Sequence, residues 1–259
     1  MVGGLALDTI PLPLVRHVCV QVGARLAFWS LEDPYELDFM LRHGHWIDLI
    51  VTTDAASLCF YPGDWTVRHL PLASQDQPES RPGQYVHHPA RWLFCGMAFK
   101  NRLLWLDPLV QAYPEALLIG PDWPNYPPPT VVRHQRIAPV VLHTLYAALP
   151  LTLYLGRDLN LANAAGVMPS TPGPRLFECA GAGGRQLVCG AGLEVGRYYV
   201  PEQEILVANT VEAALDRLAW ADAEPAALAV IGQRAWRRTQ AHHLYRHRAE
   251  RLLGWIREL

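Results

Sequence analysis

Glu178 is the residue whose type and place most invite a chemical reading. It stands alone among apolar and small neighbours in RLFECAGA (175–182), about one turn inside a short helix. PSTPGP (169–174) opens that helix and Gly183–Gly184 stops it. Pro174 suits the first helical position, where its missing N–H is not needed, and the glycine pair suits a C-cap. A helix that begins just after a polar, glycine-bearing loop offers free backbone N–H groups and a positive dipole end, a natural seat for an anion and usually for phosphate. Ser170, Thr171, Gly173 and Arg175 line that seat. A carboxylate one turn further in is placed to accept hydrogen bonds from a ribose diol. A surface glutamate on a short helix fits the same spacing equally well.

A second acidic group lies early in the chain. SLEDPYE (30–36) follows an apolar run and puts Glu32 beside Asp33. Adjacent carboxylates raise one another's pKa, which suits a general base. The competing reading makes Asp33–Pro34 the start of the next helix, with Asp33 as its cap. Asp54 reads as an N-cap more strongly still. His243 and His247 are four apart in AHHLYRHRAER (241–251), a metal-like spacing, but no third ligand stands nearby, and a helix face is the expected reading. Trp123, one of nine tryptophans, reads as core packing rather than as a base-stacking ring. No metal site is expected.

The elements that must position these groups alternate between strand and helix. GLAL (4–7), RLAFWS (25–30), IDLIVTT (47–53) and TVRHLPL (66–72) read as strands, separated by helices at 13–23, 34–44 and 54–63. SQDQPESRPGQYVHHPA (74–90) is polar, carries Pro and Gly, and has no periodicity, so it reads as a linker. The alternation then restarts, with strands in RWLFCG, ALLIG, VVRH, LTLYL, RQLVC and EILVA. Asn209, with Glu212 three residues on, reads as a capping box for a helix over 211–221, and two more helices, 224–238 and 240–258, follow. The pattern predicts two α/β units with parallel sheets. Open sheets of this kind bind ligands at the carboxyl ends of their strands, where the groups named above fall.

Composition narrows the partners. The chain has 259 residues, 51% hydrophobic and 18% charged, with a net charge of −2, so it lacks the basic surplus of a nucleic-acid binder. No apolar run is long enough to span a bilayer, and the first residues do not read as a signal peptide. The five cysteines (Cys19, Cys59, Cys95, Cys179, Cys189) are scattered and never in C-x-x-C spacing, so they read as buried, reduced thiols of a cytoplasmic protein.

The ordered set GRDLN, PS…RLFE with small residues and a glycine pair, GLE…YYVPEQEIL and HHLYRHRAERLL resembles the CgeB-like (spore maturation protein type) glycosyltransferases over roughly residues 25–259. The resemblance implies a GT-B-like fold: two Rossmann-like parallel-sheet units with a nucleotide-sugar cleft between them and C-terminal helices crossing from one to the other. On that frame, 1–75 is a truncated acceptor-side unit without the family's opening strands and glycine-rich loop. Residues 76–90 are the linker, 91–239 the nucleotide-sugar-binding unit, and 240–259 the crossing helix. CGMAFKNR (95–102) is similar to the family's F-x-G-x-x-x-x-x-R segment, in which Gly96 lets backbone approach the donor and Arg102, with Asn101 beside it, meets the diphosphate through a bidentate fork. A tight turn with a surface arginine satisfies the same residues.

GRDLN resembles an L-N-x-x-R-type segment, which implies that Arg157 neutralises phosphate or donor-sugar charge and Asn160 hydrogen-bonds sugar hydroxyls. A turn capped by Asp158 is the alternative. Two departures stand out. TPGP lengthens the loop between PS and RLFE, and Ser170 stands where related retaining enzymes carry a second glutamate. The implied function is metal-independent, retaining transfer from a UDP-, GDP- or dTDP-sugar, with no further cofactor, to a glycan, small-molecule or protein acceptor. Glu32 and Asp33 are the candidates for its base, and homo-oligomerisation stays open. Two alternatives remain: a non-catalytic nucleotide-sugar-binding protein derived from such an enzyme and working with a partner chain, or a doubly wound nucleotide binder without sugar chemistry.

Overall fold

A computed structural model describes residues 11–76, 89–157 and 163–259. The described residues form two compact units. The first draws on 11–72, 163–172 and 246–259, the second on 73–76, 89–157 and 173–245.

The first unit is a three-stranded parallel sheet in the order β1 (Ala27–Ser30), β2 (Leu49–Thr52), β3 (Val67–His69). Side chains alternate across a strand, and β2 shows the consequence. Ile50 faces Phe28, Leu12 of α1 (Leu12–Gln21), Leu37 and Met40 of α2 (Leu37–His43), Tyr61 and Val167. Leu49 and Val51 turn the other way, onto Leu70 and Leu252. A 3₁₀ turn, Ala55–Phe60, follows β2, with Asp54 as its cap accepting from the Ala56 N–H. The strand expected at GLAL lies outside the described residues, as do residues 77–88 of the expected linker.

The second unit holds six parallel strands: β4 (Trp92–Cys95), β5 (Ala116–Ile119), β6 (Val131–Arg133), β7 (Leu151–Leu155), β8 (Gln186–Cys189) and β9 (Leu206–Ala208). Their order is β6-β5-β4-β7-β8-β9. The chain therefore builds outward from β4 in one direction, returns, and builds outward from β7 in the other. The β4/β7 boundary is a topological switch point, where doubly wound sheets take their ligands. One face of β4 buries Trp92 and Phe94 with Leu106 and Leu109 of α3 (Lys100–Ala112) and Ala214 and Leu218 of α6 (Val211–Ala223). The opposite face buries Leu93 with Leu142 and Tyr146 of α4 (Pro139–Ala148) and Cys179 of α5 (Pro174–Gly181). The helix α7 (Pro225–His242) packs on α5, and α8 (Tyr245–Arg257) belongs from Arg246 on to the first unit. There the buried Arg248 donates to the carbonyls of Pro71 and Leu72 at 2.9 and 3.3 Å.

The structure departs from the sequence reading in four places. The cap of α6 is Thr210, whose hydroxyl accepts from the Ala213 N–H, one residue after the expected Asn209. The break between the last two helices falls at His243–Leu244 rather than at residue 239. There the Ser74 N–H donates to the His243 carbonyl and the Tyr245 N–H to the Ser74 carbonyl, both at 2.9 Å, and this strand-like bridge ends the helix. Asp33 does not cap α2, whose N-cap, Glu36, makes no side-chain cap bond. Cys59 is exposed and Cys19 and Cys95 half-buried, so only Cys179 and Cys189 are the buried thiols expected. Burial pushes the Cys179 thiol up to about 12.

Gly120 ends β5 with φ +139°, and a Cβ there would lie 2.1 Å from the Gly96 carbonyl oxygen. Gly120→Ala is expected to destabilise the second unit by about 2 kcal/mol or more. Gly63→Ala, with nothing within 4 Å of the added carbon, should stay within about 0.5 kcal/mol. Urea unfolding midpoints measure both.

Candidate nucleotide site

The carboxyl ends of β4 and β7 are joined by one side chain. Arg102, in the first turn of α3, donates from Nη1 to the Met97 carbonyl at 3.0 Å, from Nη2 to Leu155 at 3.2 Å and from Nε to Gly156 at 3.2 Å. Its guanidinium also lies 4.8 Å from the Phe99 ring centroid and 5.3 Å from that of Phe94. Gly96 leaves the guanidinium room, since a Cβ there would sit 2.8 Å from Nη1 and make it shift. The Asn101 amide donates to the same Gly156 carbonyl at 3.4 Å. Arg102 thus fixes the strand ends that frame the switch point. Trp123 packs edge-on against Phe94, donates to the Gly96 carbonyl at 2.9 Å and is 4% exposed, the core role expected of it.

The helix α5 starts beside these ends. The Gly173 N–H donates to the Tyr154 hydroxyl at 2.6 Å, fastening the helix start to β7. Burial pushes the Tyr154 hydroxyl up, while the Gly173 N–H and the charges of Arg102, Arg157 and Arg175 pull it down. Arg175 and Glu178, three apart on α5, share a face of the helix. Burial pushes the Tyr146 hydroxyl up, and the charge of Arg175 pulls it back down. Glu178 is half-buried, and its charge reaches His143 of α4. Burial lowers the His143 pKa against the pull of Glu178, which favours the neutral imidazole, and its Nδ1 has no hydrogen-bond partner among the described residues.

The site residues expected from sequence therefore divide between the units. Gly96, Asn101, Arg102, Arg157, Gly173, Arg175 and Glu178 belong to the second, and Glu32, Asp33, Ser170 and Thr171 to the first. Asn160 lies outside the described residues. The Ser170 and Thr171 N–H groups both donate to Asp54 Oδ2 at 2.8 Å. Their hydroxyls accept from Ala56 and Ala55 at 3.1 and 3.0 Å, and the Thr171 hydroxyl lies 3.1 Å from His69 Nε2. Asp54 is thus a buried latch as well as a cap, and burial raises its pKa against the three backbone donors. Its capping role was readable from spacing, but its hold on a loop more than a hundred residues away was not. Asp33 is 4% exposed and accepts from the Ser30 and Tyr61 hydroxyls at 2.7 and 2.6 Å. Its pKa is raised, foremost by burial rather than by the neighbouring Glu32.

The chain matches the family model described as "Glycosyl transferase-like" over residues 102–254, more than half its length. No curated protein matches it. Solved structures do. Anabaena Alr3699/HepE in complex with UDP-glucose has a TM-score of 0.71 at 10% identity, over 96% of this chain and 76% of that one. Sucrose-phosphate synthase from Thermosynechococcus elongatus has 0.63 at 14%, over 95% and 71%. A glycosyltransferase from Rickettsia africae has 0.64 at 9%, over 95% and 80%. These likenesses show the fold, which is that of the GT-B glycosyltransferases.

Because the folded-state pKa of Asp33 lies above its unfolded value of 3.8, the protonated form is favoured by folding. Its contribution is fully present below that value and is lost as pH rises through the folded pKa. Asp33→Asn is expected to flatten the fall in stability as pH rises above about 4. Parallel pH series of urea unfolding for the two proteins measure this, and parallel curves for both would contradict it.

Proposed function

The chain belongs to the glycosyl transferase-like family, and from that premise we propose that it transfers a sugar from a nucleotide-diphosphate donor bound by the second unit. The observation that carries this is the grouping at the β4/β7 switch point: Arg102, Arg157 and Arg175 act together around the start of α5, and Glu178 lies one turn inside it. Glu178 accepts the ribose hydroxyls. Arg157, Arg175 and the N-terminus of α5 take the diphosphate. Arg102, with its donors on three carbonyls, supplies charge and a rigid floor rather than a fork.

The positive charge concentrated there would stabilise the leaving diphosphate as it departs, so the transfer runs without a metal. Asn160 takes sugar hydroxyls, and Glu32 acts as the acceptor-side base. Asp33, buried against two hydroxyls, and Ser170 and Thr171, held by Asp54, brace the first unit instead. UDP is the first nucleotide to test, because HepE is described with UDP-glucose. The reading extends to a CgeB-type member acting in the cytoplasm, with retention at the anomeric carbon.

UDP at 100 times its Kd should stabilise the protein by about 2.7 kcal/mol in a thermal-shift assay. Glu178→Ala should weaken UDP binding about tenfold or more, as expected for a lost hydrogen bond to a charged group. Failure of every nucleotide to shift the melt, or unchanged affinity in the variant, contradicts the reading. EDTA should leave turnover of the UDP-sugar unchanged. Loss of turnover restored by added Mg²⁺ or Mn²⁺ would overturn the metal-independent step.

A further inference from the structure

Tyr154 is the fourth residue of β7, and its ring packs in the cluster formed by Leu176, Phe177 and Val188. The residue is 9% exposed. The hydroxyl oxygen accepts the Gly173 N–H at 2.6 Å, which fixes where the oxygen lies. A phenol carries one proton besides, and a group that accepts here must donate elsewhere. Among the described residues that proton meets no acceptor. A buried donor left unmade is costly, so its persistence at this place calls for a partner from outside the protein.

The surroundings specify the partner's charge. The next two residues, Leu155 and Gly156, have their carbonyls on the Arg102 guanidinium. Arg157 follows directly, and Gly173 and Arg175 open the eight-residue helix α5. A hydroxyl proton among three guanidinium groups, at the positive end of a helix, suits an anion with several acceptor oxygens.

We infer that the Tyr154 hydroxyl is a diphosphate-binding group that donates to a phosphate oxygen of the nucleotide, with the Gly173 N–H holding its oxygen in place. The inference rests on the proposed donor site and adds to it a contact that the arginines and Glu178 do not supply. Burial keeps the phenol protonated across neutral pH, so it stays a donor. Since charge on the bridging and terminal phosphate oxygens grows as the sugar leaves, the same bond strengthens during transfer.

The test compares UDP with uridine, which lacks the phosphates, by calorimetric titration of the wild type, Tyr154→Phe and Glu178→Ala. Tyr154→Phe should weaken UDP about tenfold or more while leaving uridine within about twofold. Glu178→Ala should weaken both. Unchanged UDP affinity in Tyr154→Phe overturns the inference and leaves the donor site standing. Equal weakening of UDP and uridine assigns Tyr154 to holding α5 alone and also overturns it. If Tyr154→Phe is unfolded, Tyr154→Met is measured in its place, and the same outcomes decide. Wild type that binds neither ligand refutes the donor site itself.

Discussion

Everything in the second unit turns on how two neighbouring strand ends are held at the point where the chain reverses its direction of building. β4 and β7 lie side by side, yet their crossovers leave to opposite sides, so no single helix covers the carbonyls at their ends. Arg102 covers them instead, donating to Met97, Leu155 and Gly156. Hydrogen bonds to a charged donor are worth about 1.5 to 3 kcal/mol each, and these three are of that kind. The requirement propagates. A Cβ at Gly96 would press on the Arg102 guanidinium and make it shift, and Gly120 must lack one to lie against the Gly96 carbonyl. Two glycines, one arginine and a tryptophan are therefore a single device that keeps the switch point open and rigid.

On that floor, α5 brings the groups that give the site its chemistry. Pro174 starts it, Tyr154 fastens it through Gly173, and Gly184 lets the chain leave it closely, since a Cβ there would lie 2.5 Å from Cys179 Sγ. Two of its polar side chains, Arg175 and Glu178, fall on the same face because they are three residues apart, while Leu176, Phe177 and Ala180 go into the core. Short as it is, the helix carries cation and carboxylate in the register that a diphosphate followed by a ribose would need. The first unit has a different character. Two of its acidic groups, Asp33 and Asp54, are turned inward and spent on hydroxyls and backbone N–H groups.

What the sequence made legible was local. The parallel α/β units, the limits of α5, the proline and glycine that bound it and the cap at Asp54 all follow from neighbours a few residues apart, and the structure shows them. The partners of polar groups were not legible, because they come from distant parts of the chain. Arg102 was expected at a diphosphate and is found on carbonyls some fifty residues away. Ser170 and Thr171 were expected to line a phosphate seat, and Asp54 takes their N–H groups. The break after α7 depends on Ser74, which no helical periodicity could announce. Tyr154 carries no signal in the sequence, since a tyrosine in an apolar strand reads as core until its hydroxyl is seen against Gly173.

The central claim is that the nucleotide sits on the second unit at the start of α5. Hydrogen–deuterium exchange with and without saturating UDP tests it most directly. Slowed exchange at 153–157 and 173–179, with 27–33 and 49–56 unchanged, is the predicted result. Protection confined to the first unit, or none at 173–179, would contradict it.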